Sequence, residues 1–165
     1  MPFDAEMERT AAALLQACRA RGLRVATAES CTGGLIAGLL TAIAGSSDVV
    51  ERGFVTYTNE AKHQMLGVPM ALFESVGAVS EEVARAMAEG AVANSDADAA
   101  VSVTGIAGPG GGTETKPVGL VHMAAARKGH ETRHQRHVFA GDRSEVRRQA
   151  VDAAVALLGE IVAAD

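Results

Sequence analysis

A chain of 165 residues is long enough for one compact domain with its own core and short for two of ordinary size. Its net charge of −5 excludes the global basic surface that duplex nucleic acid or an anionic membrane demands, and no apolar run reaches the roughly 18 residues of a membrane span. Hydrophobic residues make up 48 % but aromatic ones only 3 %, so the core is expected from Ala, Val, Leu and Met, which suits helices layered on a sheet. The two cysteines, Cys18 and Cys31, form no disulfide framework, and Met1–Glu6 lacks a basic leader, so a cytoplasmic protein is expected. There is no repeat and no linker, and residues 1–165 read as one domain.

Asp4 is placed to cap a helix whose apolar positions Met7, Ala11, Leu14, Leu15 and Cys18 keep helical rhythm up to Arg21-Gly22. Leu23–Thr27 reads as a buried strand, followed by the turn Ala28–Gly34 and a helix to Ala44, with Ser30 and Thr32 at its start. Gly53–Tyr57 repeats the pattern as a strand, and Thr58 or Asn59 caps a short helix through Lys62 and Leu66. Ser80 opens a helix to about Asn94 with acidic Glu81 and Glu82 in its first turn. Ala99–Thr104 is a buried strand that empties into the glycine-rich loop Gly105–Gly112. Val118–Ala126 and the polar run Glu131–Phe139, joined at Lys128-Gly129, predict an antiparallel pair at a sheet edge. Asp142–Glu145 has capping-box spacing ahead of a long amphipathic helix. The expected fold is α/β: a single three-layer α/β/α domain on a mixed, mostly parallel sheet with an antiparallel edge.

Three loops follow predicted strands: Ser30–Gly34, Tyr57–Lys62 and Thr104–Gly112. Parallel strands would gather them at one end of the sheet, where open α/β folds form ligand crevices. Ser30 and Thr32 read either as plain caps or as groups beside free amides that stabilise an alkoxide or bind a phosphate. Cys31 is a rival nucleophile or a small buried thiol. Lys62, in a helix's first turn, is a solvated surface lysine or an amine held neutral to serve as a base, the arrangement of serine–lysine hydrolases. Tyr57 either donates to the site or packs as a strand aromatic. The glycine loop lacks the spacing of dinucleotide and P-loop motifs, and reads as a surface loop or an anion cradle. Arg143, Arg147 and Arg148 offer anion contacts or plain solvated charge, with Arg147 and Arg148 facing water on a helical wheel. His130, His134 and His137 split between strand faces with no carboxylate or thiol at ligand spacing, so no metal site and no cofactor are expected.

The runs Ala28–Gly34, Tyr57–Lys62, Gly77–Ala84 and Thr104–Gly112 together resemble, in order and spacing, the CinA C-terminal domain family, over nearly the whole chain. That resemblance implies a CinA C-terminal-like amidohydrolase domain. Its implied activity is deamidation of nicotinamide mononucleotide (NMN) to nicotinic acid mononucleotide and ammonia, in pyridine nucleotide recycling. It places a serine nucleophile on Ser30 and a lysine base on Lys62, with Tyr57 in support. Cys31, Thr32, Gly33, Gly34, Thr104, Gly105, Gly108, Gly110, Gly111 and Arg143 are implied to bind substrate. The chain looks like a stand-alone version without the family's further N-terminal domain. It departs from the family at Ala44, usually proline, and at Thr115, usually acidic. The implied partner is the nucleotide alone, with no nucleic acid and no membrane, and a homo-oligomer is expected. Two other roles compete: a nucleotide-binding module without turnover, and a competence or damage-inducible accessory protein, which the acidic charge and single tyrosine disfavour.

Overall fold

In the computed structural model, which describes residues 3–165, each helix boundary has a chemical cause. Helix α1 spans Ala5–Arg21; the Asp4 carboxylate accepts from the Met7 amide, and Gly22 closes the helix at φ +67°. Helix α3, Asn59–Leu66, is capped by the Thr58 hydroxyl. Helix α5, Glu81–Ala93, is capped by Ser80. Helix α6, Arg143–Ala163, carries the full capping box of Asp142 and Glu145. The remaining helices are short: α2 spans Leu35–Thr41 and α4 spans Met70–Ser75.

Five strands, β1 (Val25–Glu29), β2 (Val50–Val55), β3 (Ala99–Gly105), β4 (Leu120–Arg127) and β5 (Arg133–Val138), form one sheet in the order β2-β1-β3-β4-β5. β1 runs parallel to β2 and β3, whereas β4 is antiparallel to both neighbours. Only β4 therefore runs against the rest. Helices α1, α2 and α6 cover one face over a core of Leu15, Ile36, Val101, Met123 and Leu158. Helices α3, α4 and α5 cover the other, over Ala28, Phe54, Leu66 and Met87. This is the expected α/β/α sandwich with its antiparallel edge.

Several boundaries differ from expectation. The first strand begins at Val25 because the Leu23 amide is spent closing α1 on Cys18 O, at 2.9 Å. The Ser30–Gly34 segment is a turn, and α2 opens only at Leu35, since Gly33 and Gly34 take φ of +59° and +105° and cannot continue a right-handed helix. Ser30 and Thr32 are thus not helix caps. β2 ends at Val55, which leaves Tyr57 beyond the strand. Helix α4 was not foreseen; it opens after Pro69, whose fixed φ suits a helix entry.

Candidate functional site

The C-terminal ends of β1, β2 and β3 meet on the α3–α5 face, and a cavity of about 220 Å³ opens there, lined by Ser30, Tyr57, Lys62, Ala78, Val79 and Thr104 among others. At its floor Lys62 Nζ lies 3.0 Å from Ser30 Oγ and 3.2 Å from the Tyr57 carbonyl. The two residues come from different layers. Ser30 is tied to the sheet by its amide, which donates to Val103 O at 3.0 Å. Lys62 sits on α3, whose last turn rests on α5 at Gly90; a Cβ there would meet Leu66 O at 1.9 Å. Only a glycine allows that approach.

Lys62 is 2 % exposed, so it is not a solvated surface lysine. Burial pulls its amine below the usual 10.5, favouring the neutral form, and Cys31 opposes the shift only as a lesser influence. The electrostatic cause is thus burial, where the sequence alone suggested the helix dipole. Burial pushes the neighbouring Cys31 thiol the other way, up to about 11. A buried hydroxyl thus lies in hydrogen-bond contact with a buried amine whose charged form burial disfavours. No group of three or more His, Cys, Asp or Glu among the described residues is placed to hold a metal ion.

The remaining expected residues fall into distinct places. Thr32 is wholly buried and donates to Glu29 Oε1 at 2.6 Å, so its hydroxyl stays inside the turn. Gly33 and Gly34 shape that turn. Thr104 lines the cavity and donates to Ala78 O at 2.8 Å, fixing the loop ahead of α5. Gly105 lines the cavity, Gly108 is buried, and Gly110 and Gly111 are exposed beyond it. Tyr57 is 61 % exposed, so its ring is not a packed strand aromatic; its hydroxyl accepts from Arg143 at 3.3 Å. Arg143 also donates to Gly108 O at 2.8 Å, linking the glycine loop to the cavity mouth.

Arg147 overturns the helical-wheel reading: it is half-buried, and its guanidinium donates to the Cys31 and Thr32 carbonyls at 3.0 and 3.4 Å. The chain brings the last helix to the first turn, a contact no local pattern encodes. Among the histidines, His130 lies in the loop before β5 and bonds Lys128 O, and His137 stacks on Phe139. His134 meets His122 at 2.8 Å, a partner the sequence did not suggest. Asn59, Ala78 and Val79 were also missed as lining residues. The glycine and serine before α5 were the available signal for the last two.

Comparison with known proteins places the chain in a family. A model of the CinA C-terminal domain matches residues 7–162. The nicotinamide-nucleotide amidohydrolase PncC of Escherichia coli (strain K12) is 54 % identical over 147 residues, 89 % of either chain. A CinA-like protein of Anaeromyxobacter dehalogenans is 55 % identical over 84 % of this chain and 34 % of its own. The crystal structure of the competence/damage inducible protein CihA from Agrobacterium tumefaciens superposes with a TM-score of 0.92 at 50 % identity, covering 94 % of this chain and 95 % of that one. The site residues therefore lie within the matched segment, and the chain belongs to the CinA C-terminal domain family.

Proposed function

We propose that this chain is a nicotinamide-nucleotide amidohydrolase that converts NMN to nicotinic acid mononucleotide and ammonia with Ser30 as nucleophile and Lys62 as base. The observation that carries this reading is the 3.0 Å contact between a buried hydroxyl and a buried lysine at the end of the parallel strands, supported by the name and 54 % identity of the Escherichia coli relative. Neutral Lys62 takes the Ser30 proton while Oγ bonds to the carboxamide carbon. Backbone amides near Cys31 and Gly105 hold the oxyanion. The resulting ammonium gives its proton to the departing nitrogen, and ammonia leaves. Water then loses a proton to Lys62 and attacks the Ser30 ester; as the acyl C–Oγ bond breaks and the acid leaves, Lys62 returns that proton to Ser30 Oγ.

The cavity is smaller than the roughly 300–1,000 Å³ that encloses a drug-sized ligand. It therefore takes the pyridine carboxamide, and the ribose and phosphate extend to the mouth, where Tyr57, Arg143 and the Gly105–Gly111 loop lie. Tyr57 serves the dyad through its carbonyl, while Cys31, Thr32, Gly33 and Gly34 shape the turn that carries Ser30. The reaction needs no metal or cofactor, because base and nucleophile are both side chains.

We place the enzyme in the cytoplasm as one domain over 1–165 and as a homo-oligomer with no nucleic-acid partner. Among the described residues no helix is long and apolar enough to cross a membrane. Exposed Val55, Tyr57, Met65 and Met70 supply apolar contact for a second copy, which size-exclusion chromatography with light scattering tests. The activity is tested by ammonia release from NMN with parent, Ser30→Ala and Lys62→Ala proteins of verified fold. Turnover by the parent alone is expected; NMN binding without any turnover by the parent would reassign the chain as a nucleotide-binding module.

A further inference from the structure

Arg147 reaches the Ser30 turn from α6, on the side of the sheet opposite α3 and α5. Its Nε donates to the Cys31 carbonyl at 3.0 Å and its Nη2 to the Thr32 carbonyl at 3.4 Å. Gly33 leaves it just enough room, since a Cβ there would stand 3.3 Å from Nη2. Arg147 lines a second cavity, of about 320 Å³, with Phe3, Met7, Leu35 and Val151, and is absent from the wall around Ser30 and Lys62. A charge that grips two carbonyls of the nucleophile's turn from outside the substrate cavity acts on the reaction through that turn.

The gripped carbonyls belong to peptide units whose amides continue a chain of hydrogen bonds. Thr32 C=O shares its peptide with the Gly33 N–H, which donates to Ser30 O at 3.0 Å, and Ser30 C=O shares its peptide with the Cys31 N–H. A cation at a carbonyl oxygen draws density from the amide nitrogen by resonance and makes that N–H a stronger donor, and hydrogen bonds in series strengthen one another. The series runs from Nη2 through Gly33 and Ser30 to the Cys31 amide. These peptides are trans, so the Cys31 N–H points away from the Ser30 carbonyl and out of the turn, and no acceptor among the described residues takes it. At the Cys31 thiol burial dominates, and Arg147 is among the lesser influences that oppose it, so the guanidinium's field reaches the cavity wall.

We propose that Arg147 is a positioning residue for the amidase reaction: through the hydrogen bonds of the Ser30 turn it holds and polarises the Cys31 amide as the donor to the oxyanion. The proposal rests on the Ser30–Lys62 reading above. The residue after a nucleophile on a strand–turn–helix is a position from which hydrolases draw such a donor. As Oγ bonds to the carboxamide carbon, the carbonyl π pair moves onto oxygen, and the Cys31 N–H meets the charge. Arg147 exchanges no proton and touches no substrate. The substrate's own carbonyl oxygen carries only partial charge, so the gain falls on the transition state, in kcat and not in KM.

The test compares the full-length parent with Arg147→Lys, Arg147→Gln, Arg127→Gln and Lys62→Ala, reading Tm together with kcat and KM for ammonia release from NMN. Lysine keeps the charge, whereas glutamine keeps a planar donor without it, so a clamp that only holds the turn tolerates glutamine at least as well as lysine. In Arg147→Gln kcat is expected to fall about 10- to 50-fold, short of the roughly 10²–10³ that an oxyanion donor lost outright costs, with KM within about twofold of the parent. Arg147→Lys recovers part of the loss. Arg127 grips the Ile161, Val162 and Ala164 carbonyls at the other end of α6, so Arg127→Gln lowers Tm and leaves kcat at the parental value.

Parental kcat in Arg147→Gln, a loss carried by KM alone, a lysine variant no better than the glutamine one, or an equal fall of kcat in Arg127→Gln overturns the role of Arg147. With Lys62→Ala inactive, each of these leaves the dyad standing. Turnover by Lys62→Ala, or none by the parent, overturns the Ser30–Lys62 reading and this one with it. If Arg147→Gln does not fold, Arg147→Ala assayed with added guanidinium ion or urea, planar mimics that differ in charge, gives the same contrast. Rescue by guanidinium alone supports the role, and equal action of the two overturns it.

Discussion

Glu29 caps α2 from the strand before it, and Thr32 is bound into the same arrangement: the Thr32 hydroxyl donates to Oε1 at 2.6 Å, and the Ile36 and Ala37 amides donate to the carboxylate at 2.9 and 3.0 Å. Three donors converge on one fully buried carboxylate. Glu29→Gln turns an amide NH₂ toward one of them, and an unsatisfied buried donor costs roughly 1–3 kcal/mol. Thermal unfolding should show a lower Tm, and ammonia release a kcat reduced by about tenfold or more as the Ser30 turn loosens. Parental values of both would show that the carboxylate does not hold the turn.

Ser30 and Cys31 are adjacent and both line the cavity, but only Ser30 touches Lys62. The Cys31 thiol, pushed up to about 11 by burial, is un-ionised at neutral pH and a poor nucleophile. Cys31→Ala should therefore keep turnover within a few-fold of the parent, while Ser30→Ala should lose about 10³-fold or more. Steady-state assays of the two variants side by side decide the nucleophile; the reverse order would assign it to Cys31.

Lys62 gives a stability effect whose sign follows from its lowered amine value. The unfolded chain keeps this proton up to about pH 10.5, whereas the folded site releases it earlier. Between those two values the unfolded state binds more protons, so stability rises with pH across that window, and below it the cost of the buried charge is borne in full. Lys62→Met should raise Tm at neutral pH, with the gain shrinking as pH approaches 10.5, while abolishing turnover. A Tm that falls on substitution at pH 7 would contradict this.

Gly90→Ala probes the seat of α3. The new methyl carbon would stand 1.9 Å from Leu66 O, a backbone atom that cannot rotate away. The helix must shift, and overpacking of this kind costs about 1–3 kcal/mol. Both Tm and kcat should drop, although residue 90 lies outside the cavity lining; loss of stability with unchanged kcat would show that α3 tolerates the shift.

His122 and His134 join β4 to β5 through a 2.8 Å contact between ring nitrogens, which requires at least one neutral ring. Burial, with His134 as a second influence, holds His122 down to about 4 against an ordinary 6.5. In the unfolded chain this group is protonated below about pH 6.5, so the fold loses stability as pH falls from there to about 4, by up to about 1.4 kcal/mol per pH unit. Chemical denaturation across that range should show a shallower slope for His122→Gln than for the parent.

What was legible in the sequence followed local rules. Asp4, Ser80 and the Asp142–Glu145 pair announce helix starts because a cap acts over three residues, and Gly53–Tyr57 and Ala99–Thr104 announce strands, although the first of these runs from Val50 to Val55 in the structure. Ser30 and Lys62 stood out as chemistry-bearing residues, but their 3.0 Å contact spans 32 positions and two layers. The illegible parts were non-local or conformational. Arg147 reaches the Cys31 carbonyl across 116 positions, His122 finds its partner only through strand pairing, and the Ser30–Gly34 turn depends on two positive φ values that the helical composition of Leu35–Thr41 masks. Glu29 was passed over because a strand-end glutamate gives no sign of burial.

The separate mounting of the dyad makes the hydroxyl–amine gap a gauge of how sheet and helix layers fit. Ser30 moves with β1 and Lys62 with α3, and the apolar seam of Ala28, Phe54, Leu66 and Met87 sets the spacing between them. With the proposed roles of Ser30 and Lys62, core substitutions along that seam are expected to register in the reaction rate before they register in folding, which would put residues with no chemistry of their own under the same constraint as the pair.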